Sequence, residues 1–154
     1  MDLLRKFKKY CNNNDHHNLK SLLELNDIDY INYEFYFRKA CVDCDLKIAK
    51  ILFKKYKGMD LEIITEFELA SVAKKGRLDM FKFLIQIKPS LDICFNNNYI
   101  FKTVCEKNKV DLAKYILKLK PDVKDSINNT LFNYLCVFDC LDVLQWLLKV
   151  SYKI

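Results

Sequence analysis

Glycine and proline are scarce in this chain, with only two of each among 154 residues. Glycine most readily adopts the left-handed backbone of tight hairpin turns, so a fold built from many β-hairpins is not expected. The glycine-rich loops that bind nucleotide phosphates are equally unexpected, and the motifs GxxxxGK[ST], GxSxG and HExxH do not occur. We therefore expect a helical protein in which asparagine occupies some of the turn positions.

Long apolar runs are also missing. No stretch approaches the roughly 18 uncharged apolar residues that a membrane-spanning helix needs. Charges interrupt the first ten residues, MDLLRKFKKY, so they do not resemble a signal peptide. The seven cysteines form an odd number without a secretion signal, which predicts reduced thiols and a cytoplasmic location.

Arginine is rare, and lysine supplies nearly all of the positive charge. The chain has 26 basic and 20 acidic residues, a formal net charge of +6. Lysine makes a solvated surface, whereas arginine favours bidentate phosphate recognition. Nucleic acid is therefore an alternative partner rather than the expected one. Five residues would then supply phosphate contacts: Lys74, Lys75, Arg77, Lys107 and Lys109.

A repeat of about 32 residues organises the chain from residue 33 onward. The second helix of each unit is predicted to begin at Leu46, Leu78, Val110 or Leu141, with spacings of 32, 32 and 31. Self-similarity at this period, with two helices per unit, is typical of helical repeat arrays. The predicted units are 33–64, 65–96, 97–127 and 128–154, preceded by an irregular, degenerate unit at 1–32.

The cysteines follow the same register. Cys41, Cys105 and Cys136 share one position, where the intervening unit has Ala73. A position that alternates cysteine and alanine requires a small apolar side chain, so these thiols are predicted to be buried and inert. The Cys41–Cys44 CxxC motif is therefore interpreted as packing rather than as a metal or redox site. His16 and His17 are expected in a solvated loop.

The units resemble ankyrin repeats, whose pattern is TPLHxAAxxGHLEVVKLLLExGADVN. Residues 130–136 (TLFNYLC), 40–50 (ACVDCDLKIAK) and 72–79 (VAKKGRLD) carry the resemblance. The inter-helix glycine survives only as Gly76, with Cys44, Asn108 and Asp139 in its place. These departures most resemble the divergent ankyrin arrays of giant DNA viruses of amoebae, which would place the protein in the host-cell cytoplasm.

This resemblance implies an all-α, ankyrin-like helical repeat solenoid of about five stacked helix-turn-helix units, forming a single domain over residues 1–154. It also implies a non-catalytic module that binds another protein through a concave face. We expect no enzymatic activity, no cofactor and no metal site. The alternatives are a nucleic-acid-associated protein and a structural component of a viral particle.

The resemblance places partner contacts on the turns and on the outward side of the first helices. The predicted partner-binding residues are Tyr33, Glu34, Tyr36, Glu66, Glu68, Asn97, Asn98, Ile100, Asn128, Asn129, Leu131, Tyr134 and Phe138. Tyr33 and Tyr36 could instead pack on the first unit. The apolar residues of the last unit, Val137 and Phe138 among them, either fold back as a cap or contact another chain, including a second copy.

Overall fold

The computed structural model describes residues 2–26, 31–43 and 45–151, and the chain divides into two compact units, Met1–Ile64 and Thr65–Ile154. Within the described residues all regular secondary structure is helical. The described part of the first unit forms four α-helices and a short 3-10 helix at Leu61–Ile63. The α-helices are α1 (Asp2–Asn12), α2 (His16–Leu25), α3 (Tyr33–Asp43) and α4 (Leu46–Lys55).

The second unit contains six α-helices. They are α5 (Glu66–Lys74), α6 (Leu78–Ile87), α7 (Phe95–Glu106), α8 (Val110–Leu119), α9 (Asn129–Val137) and α10 (Leu141–Ser151). A 3-10 helix, Pro121–Ser126, connects α8 to α9. Across the part of the chain that the structure describes, no helix has the combination of length and apolar character that crossing a bilayer requires.

The helix starts follow the predicted period, and the prediction of an all-helical fold is confirmed for the residues that the structure describes. The second helix of each repeat begins at the residue that defined the spacing: Leu46, Leu78, Val110 and Leu141. The ends follow as well. α6 and α8 both stop two residues before a proline, Pro89 or Pro121, because proline lacks the N–H that would continue the helix.

The turn between paired helices is built around one left-handed residue. Asn14, Gly76, Asn108 and Asp139 have φ between 54° and 72°, whereas Cys44 lies outside the described residues. The residue after the turn donates its N–H to a carbonyl five residues earlier, as from Lys109 to Val104 at 3.0 Å. The same bond joins Asp15 to Tyr10, Asp45 to Ala40, Arg77 to Val72 and Cys140 to Leu135. This is the hydrogen bond that closes a helix in a Schellman motif.

The N-terminal segment is more regular than predicted. α1 and α2 are joined by the same left-handed turn, at Asn14. The Asp15 carboxylate then caps α2 by accepting the Asn18 N–H at 3.1 Å. His16 and His17, expected in a loop, instead begin α2 with exposed side chains. The sequence misled here because the turn formers are confined to three residues before the cap.

Each unit has a core of aromatic and aliphatic side chains. Phe7, Phe37 and Leu52 are fully buried in the first unit, and Phe81 and Phe101 in the second. In the second unit α7 packs on both α5 and α9, and α8 packs on α10. Successive repeats of this unit therefore bury their apolar stripes against one another, as stacked helical repeats do.

The shared cysteine register is buried as predicted in three of its four positions. Cys41, Ala73 and Cys105 have no exposed surface, and burial raises the pKa of the Cys105 thiol to about 12. The prediction was wrong for Cys136, which is exposed. The reason is positional, because no described helix follows α10 to cover this face of the last repeat.

Candidate functional site

The N-terminal ends of the first helices are held by a hydrogen bond that recurs from repeat to repeat. The Glu34 carboxylate accepts the backbone N–H of Asp60 at 3.3 Å. Thirty-two residues later, the Glu66 carboxylate accepts the N–H of Asp92 at 3.1 Å. Each bond ties the start of a first helix to the segment that leaves the same repeat. Glu34 and Glu66, predicted to contact a partner, are therefore already engaged in positioning this end of the repeat.

An aspartate also shapes the segment that leaves each of these two repeats. The Asp60 carboxylate accepts the N–H of Glu62 at 2.8 Å, and the Asp92 carboxylate accepts the N–H of Cys94 at 2.9 Å. Such side-chain turns let aspartate direct the backbone without a glycine. The hydrogen bond from the Asp92 N–H holds the pKa of the Glu66 carboxyl below its usual value.

Glu68 is corrected from a partner-binding residue to a buried helix cap. Its carboxylate accepts hydrogen bonds from the Thr65 N–H at 2.9 Å and from the Thr65 hydroxyl at 2.6 Å. The Thr65 hydroxyl in turn accepts the N–H of Phe67 at 3.2 Å. This is a capping box, which satisfies amide groups at the start of α5. The Thr-x-x-Glu spacing is the sequence signature of such a box.

Tyr33 and Tyr36 pack on α1 of the N-terminal segment, as the alternative interpretation of these residues held. Both rings meet Phe7 of α1 edge-to-face, at centroid distances of 5.7 Å and 5.0 Å. Tyr33 also stacks on Tyr56, with ring centroids 3.2 Å apart. Each tyrosine is only half-buried. Each ring therefore packs against neighbouring aromatic side chains and keeps part of its surface in solvent.

The asparagine-rich start of α7 has an unusual backbone. Asn96, Asn97 and Asn98 are consecutive residues with φ of 50°, 56° and 60°. Asparagine tolerates this left-handed region better than most residues. Asn97 is exposed, while Asn98 is half-buried and donates from Nδ2 to the buried Ser126 hydroxyl at 2.8 Å. Asn97 therefore remains available to a partner, and Asn98 is largely a structural residue.

Two aliphatic residues of the predicted site are corrected to core positions. Ile100 is fully buried and Leu131 nearly so. Each residue comes directly before a phenylalanine that holds one position of the repeat, Phe101 or Phe132. Each lies on the side of its helix that packs inward. The same register position is buried at Glu68, so packing of the first helices encloses this position in three repeats.

The last repeat contains one residue that caps a helix and one pair of aromatic residues in contact. The Asn128 side chain accepts the N–H of Leu131 at 3.1 Å and caps α9, and its neighbour Asn129 is exposed. The rings of Tyr134 and Phe138 lie 4.3 Å apart. Phe138 is exposed as predicted, and Tyr134 is half-buried.

Sequence reasoning missed the most regular exposed feature of these helices. One register position carries an aromatic side chain in three successive repeats: Phe35, Phe67 and Tyr99, with 56%, 68% and 46% of their surface exposed. Phe67 also lies edge-to-face with Phe95, 5.5 Å between centroids. The 32-residue spacing of these three aromatic residues is a signal already present in the sequence.

The inter-helix turns gather the basic residues. Lys74, Lys75, Lys107 and Lys109 are all exposed. The Arg77 guanidinium pairs with the Asp79 carboxylate at 3.0 Å. This pairing holds the pKa of Asp79 below its usual value. The exposed lysines place further positive charge on this edge of the repeats.

Asn108 and Gly76 show how these turns connect neighbouring repeats. The Asn108 side chain accepts the N–H of Val143 at 2.9 Å and donates to the Asp142 carboxylate at 2.9 Å, so it caps the helix of the next repeat. Gly76 has no side chain, and a Cβ there would lie 2.6 Å from Cδ of Lys109. Glycine survives at this turn because the lysine stem of the following repeat covers it.

Among the described residues, no group of three or more His, Cys, Asp and Glu is arranged to hold a metal ion. Burial raises the pKa of Cys11, like that of Cys105, to about 12. These two thiols are thus protonated near neutral pH. Cys44 of the CxxC motif lies outside the described residues.

Comparisons of the chain with protein-family models, with curated proteins and with solved structures gave no match.

Proposed function

We propose that this chain is a non-catalytic protein-binding module of the ankyrin-like repeat type, which binds another protein through the first-helix side of its repeats. The exposed aromatic position shared by Phe35, Phe67 and Tyr99 carries the proposal. An exposed aromatic residue is costly in water, and a single one needs no explanation. Phe67 and Tyr99 hold one register position in successive repeats of the second compact unit, which is typical of an interaction surface, and Phe35 holds the same position within the first compact unit.

The ankyrin-like part of the proposal rests on the repeated local geometry. Two-helix units recur with the predicted period, and each described inter-helix turn has the same hydrogen bond to a carbonyl five residues earlier. The Glu34–Asp60 and Glu66–Asp92 bonds repeat at the opposite end of the units. A scaffold held by such repeated bonds presents its exposed side chains in a pre-organised way, which reduces the entropy lost on binding.

The charges beside the aromatic position favour a protein over a nucleic acid. Glu34 precedes Phe35, and Glu66 precedes Phe67. The pKa of Glu66 lies below its usual value, so this carboxylate is ionised at neutral pH. Phosphate groups would be repelled at such a position, whereas a partner that presents apolar side chains beside lysine or arginine would be attracted.

Nucleic-acid association remains the second candidate, and the four exposed lysines of the inter-helix turns favour it. Phosphate binding of this kind releases counterions and weakens steeply as salt rises. Titration of a fluorescent oligonucleotide at low and moderate salt tests it. Substituting Lys74 and Lys75 by Glu should abolish any such binding. Binding insensitive to salt and to these substitutions would remove this candidate.

The leading proposal is tested by affinity capture with matched surface variants. The chain carrying Phe67→Ser and Tyr99→Ser should lose the proteins that the parent retains. Leu119→Ser, at an exposed apolar residue of α8 outside both surfaces, is the control and should retain them. Circular dichroism shows whether each variant folds. If the double variant retains the same proteins as the parent, the aromatic position is not the binding surface and the proposal fails.

A further inference from the structure

The repeat formed by α9 and α10 carries a group of exposed apolar side chains. Val137 and Phe138, at the end of α9, are 76% and 60% exposed. Leu141 and Leu148 of α10 are also exposed. We call these four residues, with the half-buried Leu144 between the two leucines, the C-terminal face.

Part of the C-terminal face continues the packing interface that joins successive repeats. Leu141, Leu144 and Leu148 follow a spacing of three and four residues, so they lie on one side of α10. In the preceding repeat the position of Leu144 is Ala113, which is fully buried. Leu144 therefore lies on the side that a neighbouring repeat covers, whereas Val137 and Phe138 hold the positions of the half-buried Glu106 and the exposed Lys107.

The charge pattern of this face differs from that of the other repeats. Val137 and Phe138 occupy the register of Glu106 and Lys107, and of Lys74 and Lys75 before them. From residue 128 to 151 the charged residues are Asp139, Asp142 and Lys149. Asp142 is engaged by Asn108. A nearly uncharged apolar face gives no electrostatic attraction to a charged partner, but it is complementary to an identical face.

Pairing of this face with the opposite end of the chain is disfavoured by charge. α1 carries exposed cations, among them Arg5, Lys8 and Lys9. Covering them with an apolar surface would remove them from water without a compensating anion. A head-to-tail chain of copies is therefore less favourable than a like-to-like pair.

The size of the face also fits a self-associating surface. Its four exposed side chains leave on the order of 400 Å² of apolar surface, within the range of patches that mark interaction sites. An interface of ordinary size buries about 800 Å² on each partner, a little over half of it apolar. The C-terminal face with its polar surroundings can supply that area.

We propose that the C-terminal face pairs with the same face of a second copy of the chain, forming a two-fold symmetric dimer. The inference is independent of the partner-binding surface at Phe35, Phe67 and Tyr99, because the residues involved are different. It assigns Val137, Phe138 and Leu141 to the centre of the interface and leaves the aromatic position of the first helices open to another protein.

Sedimentation velocity over a range of protein concentrations tests the dimer. The parent should show a concentration-dependent monomer–dimer equilibrium that ends at the dimer. Phe138→Asp should raise the dissociation constant by at least about tenfold, since it places a charge in the buried centre. Phe67→Asp, an equally exposed aromatic outside the face, is the control and should leave the equilibrium unchanged. If Phe138→Asp does not fold, Val137→Lys takes its place.

Thiol labelling gives an independent measurement. Cys136 adjoins Val137 and is the exposed cysteine among the described residues. Its labelling rate, followed by mass spectrometry, should fall as the parent concentration rises and should not fall in Phe138→Asp. A parent that is monomeric at every concentration overturns the proposal. So do oligomers that keep growing with concentration, and a dimer that survives both substitutions.

Discussion

The Glu66 carboxylate accepts the backbone N–H of Asp92 at 3.1 Å, and 32 residues earlier Glu34 and Asp60 form the same bond. The two bonds span the same number of residues and join the same parts of a repeat. Each closes the exit end of a two-helix repeat. The glutamate thus stabilises a turn that the backbone alone would form less readily.

Loss of the Glu66 side chain should reduce stability in a pH-dependent manner. The folded pKa lies below the ordinary value of 4.5 because the Asp92 N–H stabilises the charged form. The contribution is therefore complete above that value and is lost as pH falls through the lower folded pKa. Glu66→Ala should lower the free energy of unfolding by roughly 0.5–1 kcal/mol at pH 7, since the bond is partly screened by solvent.

Urea unfolding at pH 7 and near pH 3 measures this difference. Glu66→Gln is the control, because its amide oxygen can still accept the bond while its charge is gone. It should retain most of the stability and lose the pH dependence. A deficit of Glu66→Ala that stays the same at both pH values would contradict the assignment.

Gly76→Ala should destabilise the second unit by about 1–2 kcal/mol, because an L side chain is strained in the left-handed region. Its φ is +72°, and the added Cβ would also meet the stem of Lys109. In a Lys109→Ala background part of the loss should be recovered, since only the backbone strain remains.

Thermal and urea melts of the two glycine variants provide the comparison. Gly58→Ala is the matched control, because no atom lies within 4 Å of its added Cβ. It should change stability by less than about 0.5 kcal/mol. Equal effects at Gly58 and Gly76 would show that the left-handed turn is not a constraint.

Asn108→Gly should lower stability by about 1 kcal/mol, the usual value of a helix N-cap. Glycine keeps the left-handed backbone of the turn, so the loss isolates the side-chain bonds to Val143 and Asp142. Asn108→Ala should lose more, because it adds backbone strain.

Hydrogen exchange at the start of α10 reports on the same bond. The Val143 amide should exchange faster in Asn108→Gly than in the parent, while amides at the centre of α8 should be unaffected. Unchanged exchange at Val143 would mean that another group satisfies this N–H.

Native thiol labelling should separate two cysteines that share one register. Cys136 is exposed and should react readily with a disulfide reagent at pH 8 and low protein concentration. Cys105 should react only on unfolding, because burial both shields it and raises its pKa to about 12. Peptide mapping after timed labelling distinguishes the two. Equal rates in the native state would contradict the burial of this position in the interior repeats.

The period, the helix starts and the buried face could be predicted from the sequence. Stacked repeats require one apolar stripe per unit, so Phe37, Leu69 and Phe101 repeat at a spacing visible without coordinates. The turn residues were also accessible, since asparagine and aspartate replace glycine at Asn108 and Asp139 with the left-handed φ expected of them. These features depend on local conformation and on side-chain periodicity.

The candidate site was predicted less well, because exposure depends on packing between elements. Glu68 turned inward to cap α5, and Ile100 joined the core. Phe67 remained outside although its aromatic ring would suit the interior. Sequence position alone does not distinguish these outcomes, since each of the three residues lies within a few residues of the start of its own helix.

By itself, the amino-acid sequence determined that this protein is built from paired helices with a 32-residue period, because backbone propensities and apolar spacing act within a few residues. Only the tertiary structure decided which residues at each repeat position are buried and which remain exposed. Cys105 and Cys136 have the same place in the pattern, yet one is covered by the next repeat and the other is not. Burial depends on which neighbour lies against a helix, and that is a property of the folded chain.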